Sequence, residues 1–150
     1  MRVFPGIPEF AGAVGEHLGV SEWHTIGQDR VQQFADATGD HQWIHLDAEK
    51  AARGPFGATI AHGFLTLSLI PMFGPEIYRV DGLKMGINYG LNKVRFPLPV
   101  KVGSRVRGRA DLAEVAEVPG GVQAVVRWTV EIDGEDKPAC VAEMVVRLIA

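Results

Sequence analysis

A single cysteine, Cys140, in a chain of 150 residues excludes an intrachain disulfide and any multi-cysteine metal knuckle. A reducing compartment suits such a sequence. Long apolar runs are missing as well. The longest candidate, residues 64–73, is interrupted by Thr66, Ser68 and Pro71 and falls well short of the ~20 residues that cross a bilayer. The first eight residues, Met1 to Pro8, lack the apolar core of a secretory signal. Positive charge is not in excess: 15 Lys and Arg face 18 Asp and Glu, for a net charge of -3. The basic face of a nucleic-acid binder is therefore not expected. Repeats, linkers and low-complexity stretches are absent too. These absences point to one cytoplasmic domain with neither a membrane nor a nucleic-acid partner.

What remains is an ordinary globular composition, 47% hydrophobic and 22% charged, in a chain long enough for a core. Phe10, Val14 and Leu18 recur every four residues and predict a helix over 8–18. Residues 20–26, with Trp23 and Thr25, favour a strand. Thr25 and Gln28 have capping-box spacing, and Val31, Phe34, Ala35 and Thr38 place one face of the next helix on a core. Gly39 closes that helix, so 40–46 is expected to be a loop. Asp47 is expected to cap a short helix over 48–53. The run after Gly63 is apolar on every helical face, the pattern of a buried helix, which Pro71 and Gly74-Pro75 end or kink.

From Leu83 the period becomes two. Strands are expected over 83–89, 91–96, around 105–110, over 122–132 and over 139–149, with Gly120-Gly121 and Asp133-Gly134 as hairpin turns. Helices come first, one is fully buried, and an antiparallel meander of long strands follows. That order predicts an α+β fold of hot-dog type, a curved antiparallel sheet wrapped around a buried helix.

Chemistry concentrates between Phe34 and Asp47. Asp40, His41, Gln42, His45 and Asp47 lie within eight positions, around Trp43 and Ile44. An aspartate and a histidine five residues apart can converge on one water, with a neutral imidazole taking a proton near pH 7. Spacing alone leaves two other readings open: a structural loop whose histidines satisfy backbone groups, and a metal site built from Asp40, His41, His45 and Asp47. At Ala61-His62-Gly63-Phe64, a glycine opening a helix offers backbone N–H groups to an oxyanion. Close packing would explain the same glycine. Arg105, Arg107 and Arg109, with Lys93 and Arg95, either meet phosphates or form a solvated sheet face. Cys140 is expected to be an inert core thiol, and Glu143 and Arg147 share a strand face and could pair.

The segment from Phe34 to His45 resembles the hydratase-2 motif of the MaoC-like (R)-specific enoyl-CoA hydratases. Ala61-His62-Gly63 and the run from Asn92 to Gly103 match further family segments in the expected order. The resemblance spans nearly the whole chain and is nearest to single-hot-dog members. It departs at Gln42-Trp43, where the family usually has Asn-Pro. The resemblance implies that Asp40 and His45 bind and activate water, and that the Gly63 amide polarises a thioester carbonyl. Water then adds to a trans-2-enoyl thioester to give the (R)-3-hydroxyacyl thioester, reversibly and without a metal or other cofactor. It implies that Gln42, Ile60, His62 and Phe64 contact substrate, an acyl-CoA or acyl-carrier thioester, and that the chain forms a homodimer. Two rivals share the fold: an acyl-CoA thioesterase, and a catalytically silent acyl-CoA-binding subunit.

Overall fold

A computed structural model describes all 150 residues, Met1–Ala150. Strand β1 (Arg2–Phe4) leads into a short helix α1 (Ile7–Ala11), with Pro8 in its first turn, where a missing N–H costs nothing. The helix expected over 8–18 stops there. Gly12 caps it, Gly15 turns the chain at φ +90°, and Leu18 faces the core from strand β2 (His17–Val20). The i+4 spacing from Val14 to Leu18 thus crosses two elements, and Val14 is exposed.

The strand expected over 20–26 is reduced to β3 (His24–Thr25). Ser21 interrupts it by a local exchange: its N–H donates to the Gly108 carbonyl at 2.8 Å, and its hydroxyl accepts the Gly108 N–H at 2.9 Å. Helix α2 (Gln28–Thr38) starts from Gly27, and the Thr25 capping box does not form. Val31 and Ala35 are its buried face, and Gly39 ends it at φ +83° with its N–H on the Ala35 carbonyl. That left-handed terminus favours glycine.

The loop expected over 40–46 contains a helical turn, α3 (Trp43–Leu46), followed by α4 (Ala48–Ala52). Asp47 caps α4 as expected, accepting the Lys50 N–H at 3.0 Å. The central helix comes in two pieces, α5 (Gly63–Ser68) and α6 (Ile70–Ile77), joined through Leu69, with Pro71 in the first turn of α6. It is not buried on every face: Leu65, Leu69, Ile70, Phe73 and Ile77 are in the core, while Phe64 is 71% exposed.

Strand β4 (Tyr78–Val80) pairs in parallel with β1. The two strands expected over 83–96 are one, β5 (Met85–Arg95), with register shifts between Asn88 and Gly90 and between Leu91 and Val94. Then come β6 (Arg105–Val118), β7 (Gly121–Ile132) and β8 (Cys140–Ile149). The main sheet runs β2-β6-β7-β8-β5, wholly antiparallel, with β3 also on β6. Only β6-β7-β8 is a meander; β5 precedes it in the chain but lies beyond β8.

Inward residues of the sheet, including Val106, Ala110, Leu112, Val126, Trp128 and Val130, close on the central helix in one core. The closest seat is Phe73, fully buried, over Gly108, where a Cβ would fall 2.6 Å from the ring. Burying one such phenylalanine contributes about 1.5–3 kcal/mol. The curved sheet around a central helix is the expected hot-dog architecture.

Candidate active site

Two segments meet at the open end of the central helix: the turn from Gly39 through α3, and the stretch from Thr59 to Gly63. Asp40 follows the left-handed Gly39, so its start is set by the packed end of α2. Its side chain is 54% exposed, and one carboxylate oxygen accepts the Gln42 N–H at 3.3 Å.

His45 lies on α3, with only 7% of its side chain exposed. Its Nδ1 is 2.7 Å from the Ile60 carbonyl. A carbonyl only accepts, so Nδ1 carries the proton and Nε2 keeps its lone pair. The same turn is tied twice more to the facing segment. Gln28 donates its amide N–H to the His45 carbonyl at 2.7 Å and accepts the Thr59 hydroxyl at 2.7 Å. The Ile60 N–H donates to the Ile44 carbonyl at 3.0 Å. The lone pair of His45 Nε2 then faces Asp40 Oδ2 at 4.0 Å, too far for a direct hydrogen bond.

His62, 3% exposed, completes the group. Its Nε2 donates to the Asp40 backbone carbonyl at 3.0 Å and lies 4.0 Å from Asp40 Oδ2. The His45 and His62 rings stack with centroids 3.8 Å apart at 22°. His62 Nδ1 is buried with no partner.

A cleft of about 320 Å³ opens beside His45, walled by Phe56, Ile60, Gly63, Thr66, Phe96 and Val100 among others. It is mostly apolar and carries few polar atoms. Gly63, the first residue of α5, brings to this cleft an amide that has no acceptor within the helix. The glycine also has a packing reason, since a Cβ here would approach the Phe96 ring to 3.1 Å.

Of the residues singled out from sequence, Asp40, His45, Ile60, His62 and Gly63 come together. Gln42 is exposed at the start of α3 and is not part of the cleft wall. Phe64 packs edge-on to Phe96 with centroids 6.2 Å apart and otherwise faces outward. Trp43 takes the first position of α3, the site where proline is favoured for its missing N–H. Its indole fills the space beside Gly54, with Lys50 Nζ 4.5 Å from the ring centroid. The turn is thus braced by packing where a proline would stiffen it.

The four-residue metal set does not assemble. His41 turns back to Asp36, with Nε2 3.0 Å from its carboxylate, and Asp47 is engaged as the cap of α4. Asp40, His45 and His62 instead offer one ligand atom each, all within 4.8 Å of one another. His62 Nε2 already donates to the Asp40 carbonyl, so a three-residue chelate through that atom would first break this bond.

The arginines of β6 are paired with neighbouring carboxylates: Arg105 with Asp133, Arg107 with Glu131 at 2.6 Å, and Arg109 with Asp111 at 3.6 Å. Trp23 lies over Arg107, 4.5 Å from its guanidinium carbon. That is the solvated sheet face. Glu143 pairs with Arg127 and not with Arg147, which stacks on Tyr89. Cys140 is buried, and burial pushes its thiol up to about 11, so it is inert.

Gln28 and Thr59 are the site residues that sequence reasoning missed. Their one signal was polarity at positions flanking core residues, Gln28 before Val31 and Thr59 before Ile60.

Against protein families, residues 9–133 match the MaoC like domain. Over its full length the chain is 58% identical to 3-hydroxyacyl-thioester dehydratase Z of Mycobacterium tuberculosis, and it covers all of that protein. It is 48% identical to nodulation protein N of Rhizobium leguminosarum bv. viciae, across 88% of this chain and 84% of that one. The solved (R)-hydratase from A. caviae involved in PHA biosynthesis superposes with a TM-score of 0.74 at 28% identity, over 90% of this chain and 96% of the other.

Proposed function

The chain belongs to the MaoC-like dehydratase family of enzymes, and from that premise we propose that it interconverts (R)-3-hydroxyacyl and trans-2-enoyl thioesters, with coenzyme A as the thiol carrier. The observation that carries this reading is a pair of acceptors, one of which, His45, lines the apolar cleft. Asp40 Oδ2 and His45 Nε2 stand 4.0 Å apart, and both present lone pairs.

A water between them donates one O–H to each and turns its own lone pairs toward the cleft. There the enoyl Cβ lies in reach while the acyl chain follows the apolar walls of Phe56, Ile60 and Val100. The Gly63 N–H donates to the thioester oxygen and takes up the negative charge that develops as Cβ is attacked. The O–Cβ bond forms, one water proton passes to the Asp40–His45 pair, and a proton from that pair is placed on Cα. Dehydration is the same path reversed. The relatives' names support the reaction type: one is a 3-hydroxyacyl-thioester dehydratase and the other an (R)-hydratase. Proton transfer by the Asp40–His45 pair and oxyanion stabilisation by the Gly63 backbone N–H are the two requirements of this reading.

We further infer a homodimer joined through β5. This strand ends the sheet and exposes Met85, Ile87, Tyr89 and Leu91. A long apolar edge of this kind is a template for pairing with another strand. Phe64 and Phe96 add to the exposed apolar surface. Light scattering on the purified protein should give twice the chain mass, and Tyr89→Lys should return it to one.

The reaction is tested by offering (R)- and (S)-3-hydroxyacyl-CoA separately and following the conjugated enoyl band. The (R) form alone should give enoyl-CoA, with no free thiol released. Thiol release without enoyl formation would establish a thioesterase instead. Binding of both forms without turnover would establish a silent subunit.

A further inference from the structure

His62 is placed where it touches both members of the acid–base pair and not the cleft. It stands at the N-cap of α5 with extended backbone, φ -60° and ψ 139°. It is not among the residues that wall the apolar cleft. We infer that His62 is a positioning residue: its Nε2–H pins the Asp40 backbone while its ring, stacked on His45, fixes the plane of that imidazole. This rests on the hydratase reading above and assigns to His62 a role other than substrate contact.

Each half of the claim has its own geometry. Asp40 is half-exposed at the end of a helix, and only two contacts restrain it toward the site. One is the 3.3 Å bond from the Gln42 N–H; the other is the 3.0 Å bond from His62 to its carbonyl. The second crosses from the start of the central helix to the turn, so it sets where the carboxylate stands beside His45. His45 is held at Nδ1 by Ile60, which fixes one point of the ring but leaves rotation about that bond. A parallel ring at 3.8 Å removes this freedom. Phe34, 4.8 Å from His62, backs the arrangement from α2.

The residue type follows from the two tasks together. Phenylalanine would stack without donating, and glutamine would donate without stacking. Histidine does both, at the expense of a buried Nδ1 with no partner. An orphaned buried nitrogen is the kind of local disadvantage that persists where a site requires it.

The test compares His62→Phe, which keeps the ring, with His62→Gln, which keeps the donor, and with His62→Ala, which keeps neither. Misplacing a reacting group by about 1 Å costs on the order of 10²-fold in rate. His62→Ala should therefore lose roughly that factor in kcat with KM nearly unchanged, and each conservative variant should recover part of it. In parallel, the ring 1H and 13C shifts of His45 should stay near their wild-type values in His62→Phe, which keeps a stacked ring, and move toward those of an unstacked imidazole in His62→Gln and His62→Ala. Wild-type kcat in all three variants would overturn the proposal, and so would a raised KM at constant kcat. If the wild-type protein turns over neither enoyl nor hydroxyacyl thioesters, the hydratase reading fails by itself. The His45 shifts then decide: unchanged in all three variants, they overturn the positioning role, and changed as stated, they support it.

Discussion

The Nδ1 of His45 lies 2.7 Å from the carbonyl oxygen of Ile60, and that contact decides the tautomer of the ring. With the proton on Nδ1, Nε2 faces Asp40 as an acceptor. His45→Gln keeps an amide donor within reach of Ile60 and loses the base. We expect kcat to fall by roughly 10²–10⁴-fold, the usual worth of a positioned acid–base group. Far-UV circular dichroism should match the wild type, which separates lost chemistry from lost fold.

Gln28 bridges the His45 carbonyl and the Thr59 hydroxyl. Gln28→Ala leaves the buried Thr59 hydroxyl without its acceptor and should destabilise the protein by about 1–3 kcal/mol in urea unfolding. Thr59→Val should cost less when Gln28 is already alanine. A double-mutant cycle should show coupling of about 0.5–3 kcal/mol, whereas simple additivity would mean that the bridge does not hold the two segments together.

Gly63 has two explanations, the approach of a thioester to its amide and the seat of Phe96 at 3.1 Å. Gly63→Ala should lower both Tm and kcat. Adding Phe96→Leu should restore most of the Tm and little of the kcat. Recovery of both together would leave packing as the whole reason for the glycine.

His41 and Asp36 form an exposed pair at the end of α2. The hydrogen bond to Asp36, then the Gly39 backbone, raises His41 above the ordinary histidine value of 6.5. The bond to His41, then that to Gln32, lowers Asp36 below the ordinary 3.8. The contribution of His41 is fully present below 6.5 and is lost as pH rises through its raised value. That of Asp36 is present above 3.8 and is lost as pH falls through its lowered value. The pair thus holds between the lowered Asp36 value and the raised His41 value and loosens on either side. In an NMR titration, Asp36→Asn should bring the His41 midpoint down toward 6.5; an unmoved midpoint would dismiss the pair.

Phe73 sits so close over Gly108 that any side chain collides with its ring. Gly108→Ala should destabilise by about 1–3 kcal/mol through overpacking, measured as a lower urea midpoint. Phe73→Leu in the same background should recover part of the loss.

Elements with a long, unbroken period were legible in the sequence: α2 from Val31 and Ala35, β7 from its alternation, and the cap at Asp47. Reading failed where a local bond or a tertiary neighbour outweighed the period. Ser21 bonded Gly108 and cut a strand short, α1 ended before Leu18, and Gln28 turned from a helix start to the site. Asp40 and His45 were legible because six consecutive residues carry both. The stack of His45 on His62 was not, because 17 positions separate the two residues and only the docking of α3 on the 59–63 segment brings them together. The partners of Arg105 and Arg107 were equally hidden, since Glu131 is set by the register of β7 on β6 and Asp133 by the turn after β7.

The most direct measurement of the central claim is the rate of hydration of a trans-2-enoyl-CoA by the wild-type protein and by Asp40→Asn, a near-isosteric change at a half-exposed position. The account predicts that the wild type consumes the enoyl band and gives the (R)-3-hydroxyacyl product. It predicts that Asp40→Asn, with unchanged Tm and circular dichroism, loses at least roughly 10²-fold in kcat. Hydration by Asp40→Asn at the wild-type rate would contradict it.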